Sequence, residues 1–149
     1  MPQLSLHSPV GDLTISEEAG EIVSLDWGWG RDQEPTPLLR RAKAALDDYF
    51  DGKPLPRDLP LAPHGTPYRL KVWQALCEIP AGETRSYKDI SAVAGGSARS
   101  VGGANAANPI PIFIPCHRVV ATDGLGGYSG GDGLETKLWL LELERGGKT

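Results

Sequence analysis

Several kinds of residue are scarce in this 149-residue chain, and each scarcity excludes a class of protein. There are only two cysteines and three histidines, and none stands at the spacing of a zinc site. We therefore predict no metal site and no structural zinc. No apolar run approaches the length that spans a bilayer, and the first residues lack the basic and apolar segments of a signal peptide. We expect a cytoplasmic protein with no membrane partner.

An excess of positive charge is also missing, because the net charge is −4. Residues 1–65 hold 6 basic and 11 acidic side chains, whereas residues 66–149 hold 9 and 8. Residues 84–121 contain one acid, Asp89, and four cations: Arg85, Lys88, Arg99 and Arg118. An acidic protein binds polyanions poorly in general. Any contact with nucleic acid should therefore use a small patch in the second half of the chain.

Residue patterns predict two subdomains. Short alternating runs over residues 4–8, 13–16 and 22–27 predict a small antiparallel sheet, and apolar periodicity predicts a helix over 37–50. A proline-rich linker follows, so the predicted division is 1–64 and 65–149. In the second part we predict helices over 66–79, 87–93, 98–107 and 134–145. The predicted fold is an α/β N-terminal subdomain followed by a mainly α C-terminal subdomain with a helix-turn-helix.

The stretch Pro115-Cys116-His117-Arg118-Val119 is the strongest chemical signal in the chain. It places a cysteine beside a histidine where a helix is predicted to begin. A thiol in that setting loses its proton near neutral pH, since the helix start favours an anion. Cys116 is therefore a candidate nucleophile. The alternative is a small buried apolar residue, which is the usual state of a free cysteine.

The predicted helix over 98–107 carries almost no large side chain except Arg99. Its two adjacent glycines, Gly102 and Gly103, cost about 1 kcal/mol each relative to alanine in a helix interior. Such a cost indicates that something approaches the backbone closely. One explanation is a tight contact between helices. The other is a helix that enters a DNA minor groove, which is only about 6 Å wide.

Ordered motifs along residues 65–144 then resemble one known family. They are Gly65-Thr66-Pro67-Tyr68, Ile79-Pro80-Ala81-Gly82-Glu83-Thr84, Ala98-Arg99-Ser100-Val101-Gly102-Gly103-Ala104, Asn108-Pro109, Pro115-Cys116-His117-Arg118-Val119-Val120, Gly127-Tyr128-Ser129-Gly130-Gly131 and Trp139-Leu140-Leu141. Together they resemble the O6-alkylguanine-DNA alkyltransferases, also called methylated-DNA–protein-cysteine methyltransferases.

The resemblance implies DNA repair by direct damage reversal. Members flip an alkylated guanine out of the duplex and transfer its alkyl group irreversibly to a cysteine, once per protein molecule. The implied partner is double-stranded DNA that contains O6-alkylguanine, with O4-alkylthymine as a second candidate lesion. The resemblance also implies a monomer that needs no cofactor.

By position, the resemblance assigns the reaction to four residues. Cys116 would accept the alkyl group, and His117 would act on it through a water. Glu144 would orient the histidine, with Glu142 as the second choice. Asn108 would couple the recognition helix to the turn that holds the cysteine.

The resemblance also assigns residues to the DNA and to the flipped base. Arg99 would fill the gap left by the base, and Tyr87 would help to rotate the nucleotide and contact its ring. Further groove contacts would come from Ser100, Gly102, Gly103 and Ala104. The base pocket would use the Tyr128-Ser129 loop, with a backbone N–H to O6, and the carbonyl oxygens of Cys116 and Val119, which would accept from the exocyclic amine.

The chain departs from the family pattern in several places. Asn105 is polar where some members have a larger apolar residue, so we expect modest affinity for undamaged DNA. The loop after Val120 is about one residue short, and Asp132-Gly133 is a two-residue insertion. These changes leave the accepted alkyl size open. The zinc ligands of some members have no counterparts here.

Three other functions remain as alternatives from the sequence. A Cys-His thiol hydrolase or acyltransferase would use Cys116, His117 and Glu144 but would leave Arg99 and the glycine-containing helix unexplained. A damage sensor of the alkyltransferase-like type would lack the acceptor cysteine, which is present here. A transcription regulator would be expected to have an effector domain or a basic recognition face.

Overall fold

The computed structural model describes residues 1–128 and 130–146. Its N-terminal part is an antiparallel sheet in the order β1-β2-β3, formed by β1 (Gln3–Leu6), β2 (Leu13–Glu18) and β3 (Glu21–Trp27). Leu13 and Ile15 of the central strand are fully buried. Thr14, between them, is also buried and shares a 2.8 Å hydrogen bond with Ser5 of β1. The predicted small antiparallel sheet is confirmed.

Helix α1 (Pro37–Phe50) packs against this sheet. It begins where the sequence predicts, because the Thr36 hydroxyl accepts from the Leu39 N–H and Pro37 occupies the first helical position. The chain leaves the helix at Gly52, whose φ of +93° favours glycine. The buried side chains of α1 are Leu39, Ala42, Ala45, Leu46, Tyr49 and Phe50.

Three helices form the central part of the second half: α2 (Pro67–Cys77), α3 (Tyr87–Ala94) and α4 (Ala98–Ala106). Capping boxes at Ser86 and Ser97 start α3 and α4, which explains why both short helices form. The indole of Trp73 on α2 is 2% exposed and donates a 2.8 Å hydrogen bond to the Ala104 carbonyl. This bond ties α4 to the core. Helix α2 ends two residues before its predicted end.

Three further elements complete the second half of the chain. Strand β4 (Arg85–Ser86) pairs in parallel with β5 (Val119–Val120), and the last helix is α5 (Leu134–Glu144). The sequence predicts β5 as a longer strand over 119–122 and does not predict β4, because two residues carry no readable alternation. This pairing places the start of α3 beside the segment that follows Cys116.

The N-terminal sheet and α1 also reach the C-terminal part. The Leu25 N–H of β3 donates a 2.9 Å hydrogen bond to the Pro109 carbonyl, and the Tyr49 hydroxyl of α1 bonds to Glu144 of α5. The predicted fold class is confirmed, whereas the division at residues 64 and 65 stays a prediction. Among the described residues, no helix combines the length and apolar character needed to cross a membrane.

Candidate active site and DNA-binding face

Cys116 lies at the end of a buried apolar segment. The side chains of Ile110 and Ile112 are fully buried, and Cys116 is 5% exposed. Ile112 has a φ of +74°, which is unfavourable for a β-branched residue and persists here because its side chain is held in the core. The segment turns back on itself, since the Ile114 N–H donates to the Ile110 carbonyl at 2.9 Å. Packing therefore fixes the position of the cysteine.

The helix expected at Cys116 is a single 3₁₀ turn, Cys116–Arg118. Three residues give little of the dipole that a longer helix would supply. Burial raises the pKa of the Cys116 thiol, although a hydrogen bond from the Asn108 side chain and the positive charge of Lys137 act against this. The expectation that a helix start beside a histidine lowers the pKa of the resting thiol is therefore corrected, because burial has the larger effect. A base is needed to remove the proton.

His117 is completely buried and bonds directly to Glu144. Its Nε2 lies 2.7 Å from Oε2 of the carboxylate. Burial lowers the pKa of His117 despite this carboxylate, so the ring is neutral at rest. A neutral ring that donates from Nε2 has an acceptor at Nδ1, and Nδ1 has no hydrogen-bond partner among the described residues. His117 thus has one anchored nitrogen and one available base.

Glu144 is held by two further side chains. Arg118 donates to it from Nε at 2.8 Å and from Nη2 at 2.9 Å, and the Tyr49 hydroxyl donates at 2.5 Å. Burial alone would raise the pKa of Glu144, but the hydrogen bonds from His117 and Arg118 hold it well below its usual range. The carboxylate is therefore charged whenever His117 needs an acceptor.

Arg118 does not belong to the predicted basic surface patch, which is a correction to the sequence analysis. It is 9% exposed and faces the interior, where it also donates to the Ile79 carbonyl at 2.7 Å. Arg85 is paired with Glu83 at 3.2 Å. Lys88 and Arg99 are exposed on α3 and α4. The basic patch is therefore smaller than the sequence predicts, because one of its four cations neutralises a buried carboxylate instead.

A cavity of about 320 Å³ opens beside Cys116. Asn108, on its edge, donates from Nδ2 to the Ile114 carbonyl at 2.8 Å and accepts from the Ile110 N–H at 3.0 Å. It therefore bonds the chain just after α4 to the segment that carries the cysteine, and its predicted coupling role in the reaction stays a prediction. The cavity is lined by Leu25, Asp26, Trp27, Asn105, Asn108, Pro109, Pro111, Cys116, Tyr128, Gly130 and Gly131. A larger cavity of about 520 Å³ is lined by Glu144 and Arg118 and not by Cys116.

The residues predicted to contact a base lie partly around this cavity. Tyr128 lines the cavity. Burial raises the pKa of its hydroxyl, and the neighbouring Cys116 raises it further. Val119 is fully buried, and its carbonyl accepts from Lys137 at 2.6 Å. The predicted role of Ser129 falls outside the described residues.

Tyr87 packs on the loop before Tyr128. A Cβ at Gly126 would lie 2.7 Å from the Tyr87 hydroxyl, so the loop passes directly over this ring. Since Tyr87 is the first residue of α3, it connects the helix pair to the cavity region. Its predicted contact with a flipped nucleotide stays a prediction.

The exposed face of α4 contains Arg99, Gly102 and Gly103. Added Cβ atoms at the two glycines would meet no heavy atom within 4 Å among the described residues. The glycines are therefore not explained by a tight contact between helices, which leaves access for an external partner. Arg99 is exposed at the helix start and forms no ion pair or hydrogen bond within residues 1–128 and 130–146.

Two of the predicted groove residues have other places in the fold. Ala104 is 2% exposed and faces the core, so its assignment to the DNA-contacting face needs correction. It lies five residues after Arg99, which places it about 140° around the helix from Arg99, beside Trp73. The Ser100 hydroxyl completes the capping box with Ser97 and bonds to the Tyr68 hydroxyl at 2.9 Å. Its structural role at the helix start is therefore clear.

Comparison with known proteins identifies the family. The 6-O-methylguanine DNA methyltransferase DNA-binding domain matches residues 67–146, and the ribonuclease-like domain of the same proteins matches residues 4–63. The chain belongs to the 6-O-methylguanine DNA methyltransferase family. It is 44% identical to the constitutive methylated-DNA–protein-cysteine methyltransferase of Bacillus subtilis, over 93% of this chain and 92% of the relative. It is 43% identical to the Methanosarcina barkeri enzyme, over 93% and 94%.

A solved structure of the same family shows the same fold. Mycobacterium tuberculosis OGT in complex with DNA is 38% identical, with a TM-score of 0.87 over 98% of this chain and 94% of that one. The crystal structure of the O6-methylguanine methyltransferase from the same organism is 36% identical, with a TM-score of 0.84 over 97% and 93%.

For this methyltransferase, sequence reasoning missed two buried polar residues. Tyr49 stands 95 positions before the carboxylate that it holds. Lys137 is fully buried, and its Nζ donates to the carbonyls of Val119, Leu125 and Gly127 at 2.5–3.0 Å. Burial lowers its pKa to about 8. A signal was available for Lys137, because it stands three and four residues before Leu140 and Leu141 on the apolar face of α5.

Proposed function

We propose that this methyltransferase repairs DNA by a single irreversible transfer of an alkyl group from O6-alkylguanine to Cys116. The observation that carries the proposal is the buried arrangement of Cys116, His117 and Glu144, with a 2.7 Å bond between the last two, in a chain of this family. The protein is consumed in the reaction, since the thioether that forms at Cys116 has no means of release.

His117 would supply the base for this step. Its Nε2–H donates to Glu144, which leaves Nδ1 to accept the thiol proton. Neighbouring side chains in a helical turn point apart, so the proton would travel through one water. The paired carboxylate stabilises the imidazolium that forms, as in other histidine–carboxylate pairs.

The transfer itself would be a displacement at the alkyl carbon. The Cys116 thiolate forms the new carbon–sulfur bond while the bond between that carbon and O6 breaks. The electron pair of the broken bond returns to the guanine, which then takes up a proton. One proton leaves the thiol and one enters the base, so charge and atoms balance without a cofactor.

The base would reach Cys116 by leaving the duplex. Flipping a nucleotide costs a few kcal/mol and is easiest for a damaged pair. Arg99, exposed and unpaired within the described residues, would fill the gap, and Tyr87 would guide the nucleotide toward the cavity. The open backbone at Gly102 and Gly103 supports a close approach of the DNA.

The closing loop would complete the pocket. Tyr128 lines the cavity beside Cys116, and the carbonyl of the buried Val119 accepts a hydrogen bond from Lys137. We propose that the Tyr128-Ser129 loop covers the base. Double-stranded DNA with O6-alkylguanine is the proposed partner, with O4-alkylthymine as a second lesion. A monomer that acts in the cytoplasm remains a prediction.

A titration tests this proposal. Protein is mixed with increasing excess of a duplex that carries O6-methylguanine, and the restored guanine is counted per protein molecule. We expect one equivalent and then no further reaction. Continued turnover would instead indicate a thiol hydrolase, and restored guanine that does not require the protein's thiol would contradict the proposal.

A further inference from the structure

Trp27 brings the N-terminal sheet into the wall of the cavity beside Cys116. It is the last residue of β3, and it lines the cavity together with Leu25 and Asp26 of the same strand. The other lining residues belong to the second half of the chain. Trp27 has the largest side chain of this lining, so the N-terminal subdomain supplies a substantial part of the wall.

The indole ring of Trp27 is anchored within its own subdomain. The backbone of Trp27 pairs with Leu13 in the sheet, and Nε1 donates a 3.0 Å hydrogen bond to the Val10 carbonyl in the turn between β1 and β2. A Cβ at Gly11 would lie 3.5 Å from the ring, which is ordinary van der Waals contact. The ring therefore has an anchor that does not involve the C-terminal part.

The indole also contacts the segment that follows Tyr128. A Cβ at Gly130 would lie 2.5 Å from Cζ3 of Trp27, and a Cβ at Gly131 would lie 2.9 Å from Nε1. Neither position leaves room for a side chain, so the backbone of both glycines packs directly on the ring. The Tyr128 ring meets the indole edge to face, with the two centroids 6.3 Å apart.

The glycine pair depends on this surface because it has no side chains of its own to pack. Glycine has the greatest backbone freedom of all residues, so such a segment needs an external contact to keep one conformation. On its far side, the Asp132 N–H donates to the Thr136 hydroxyl of α5 at 2.9 Å. On its near side is Tyr128, which lines the same cavity as Cys116.

We infer that Trp27 is a positioning residue for alkyl transfer, and that its indole holds the Gly130-Gly131 segment, and with it Tyr128, in place beside the flipped base. The inference rests on the proposed function. It makes strand β3 of the N-terminal subdomain part of the active site. Loss of the indole should slow the transfer without preventing it, because the thiol and the pair His117–Glu144 are unchanged.

A double-mutant cycle between Trp27 and Gly130 tests this inference. Single-turnover rates of methyl transfer are measured at a saturating concentration of duplex that carries O6-methylguanine, so that differences in DNA affinity do not enter. Trp27→Ala should slow the transfer roughly 10–100-fold, as expected when a positioning contact is lost. The variant should still accept one methyl group at completion. Trp29→Ala is the matched control and should keep the wild-type rate, since Trp29 is 51% exposed.

Gly130→Ala should also slow the otherwise wild-type protein, because its new Cβ would meet the indole. In the Trp27→Ala protein that collision is absent, so the same substitution should cost at least about fivefold less. A smaller cost remains there, since the Tyr128 ring lies 2.9 Å from the same Cβ. Any cost from the backbone itself is equal in both proteins and cancels in the cycle.

Two results would overturn the inference. One is a folded Trp27→Ala protein that transfers at the wild-type rate. The other is an equal cost of Gly130→Ala in both proteins. Thermal melting shows whether each variant is folded, and Trp27→Leu takes the place of an unfolded alanine variant, since leucine also lacks the outer ring of the indole. Both results differ from failure of the proposed function, in which the wild-type protein itself would accept no methyl group.

Discussion

The interior around Cys116 and the exposed face of α3 and α4 differ in how many of their charged groups have partners within the protein. In the interior, Glu144 accepts from three different side chains, and all three protons of Lys137 are bonded to carbonyls. On the exposed face, Arg99 has no partner among the described residues, and the glycines of α4 have open space above them. The hydrogen bonds to Glu144 and from Lys137 are therefore formed before any partner arrives, and His117 Nδ1 is left without a partner among the described residues.

This difference separates chemistry from recognition. The interior arrangement fixes a base and its carboxylate, so it should act on any accessible lesion, including a free base. The exposed face becomes useful only when duplex DNA is present. Variants of the two regions should therefore give different results with free and duplex substrates.

The largest effect should come from Cys116→Ala. We expect complete loss of methyl transfer, because no other thiol has a neighbouring histidine–carboxylate pair. Binding to a duplex that carries the lesion should remain, as measured by fluorescence anisotropy. Cys77→Ala serves as the matched control and should transfer normally. Transfer by the Cys116→Ala protein would show that the acceptor lies elsewhere.

Glu144→Gln should have the next largest effect, on folding and activity together. Loss of the charge leaves Arg118 buried without its counter-ion, which costs about 3–5 kcal/mol. Tyr49→Phe is the milder comparison, because it removes one hydrogen bond to a charged group and should cost about 1.5–3 kcal/mol. Urea denaturation measures both. Equal stability of the Glu144→Gln and wild-type proteins would contradict the buried network.

The stability contributed by Glu144 should depend on pH. Hydrogen bonds hold its pKa below that of an unfolded glutamate, which is about 4.3. Its contribution should therefore be complete above that pH and decline as the pH falls through the lower, folded pKa. Denaturation at pH 7 and pH 3 should show a smaller difference between wild-type and Glu144→Gln proteins at pH 3. A larger difference there would reverse the assigned sign.

Arg99→Ala tests the exposed face. Stacking in a gap of the duplex is worth about 1–3 kcal/mol for aromatic platforms, so repair of duplex DNA should slow roughly 10–100-fold. Transfer from free O6-benzylguanine should be unaffected, because no base has to be replaced. Lys71→Ala, an exposed cation on α2, provides the control. If both substrates slowed equally, Arg99 would act on the fold or the chemistry instead.

Gly103→Ala should give the smallest effect, in the stabilising direction. Nothing within 4 Å among the described residues opposes a Cβ there, so helix propensity should add about 1 kcal/mol to the free energy of unfolding. Gly103→Leu should fold as well but should bind duplex DNA more weakly. Tight binding by the leucine variant would show that the DNA does not approach this face.

The elements that sequence predicted best are those with local signals. Helix α1 has the predicted bounds because Thr36, Pro37 and Gly52 mark its ends. The sequence predicts a helix start at Cys116, but the turn there is only three residues long, because proline and apolar packing determine it more than helix propensity.

The rest of the site depends on contacts that sequence patterns do not reveal. Tyr49 and Glu144 are 95 residues apart in the chain. The sequence alone does not distinguish the buried Arg118 from an exposed arginine. Asn105 departs from the family pattern, but its inward direction depends on how α4 packs beside Cys116. Long-range packing therefore decides which polar residues face the cavity.

Peptide mapping by mass spectrometry tests the central claim most directly. Wild-type protein is reacted to completion with a duplex that carries O6-methylguanine and is then digested. We predict one methyl group per protein, located on the thiol of Cys116, with an equal amount of restored guanine. An unmodified Cys116 in folded protein that had been exposed to excess lesion would contradict the claim.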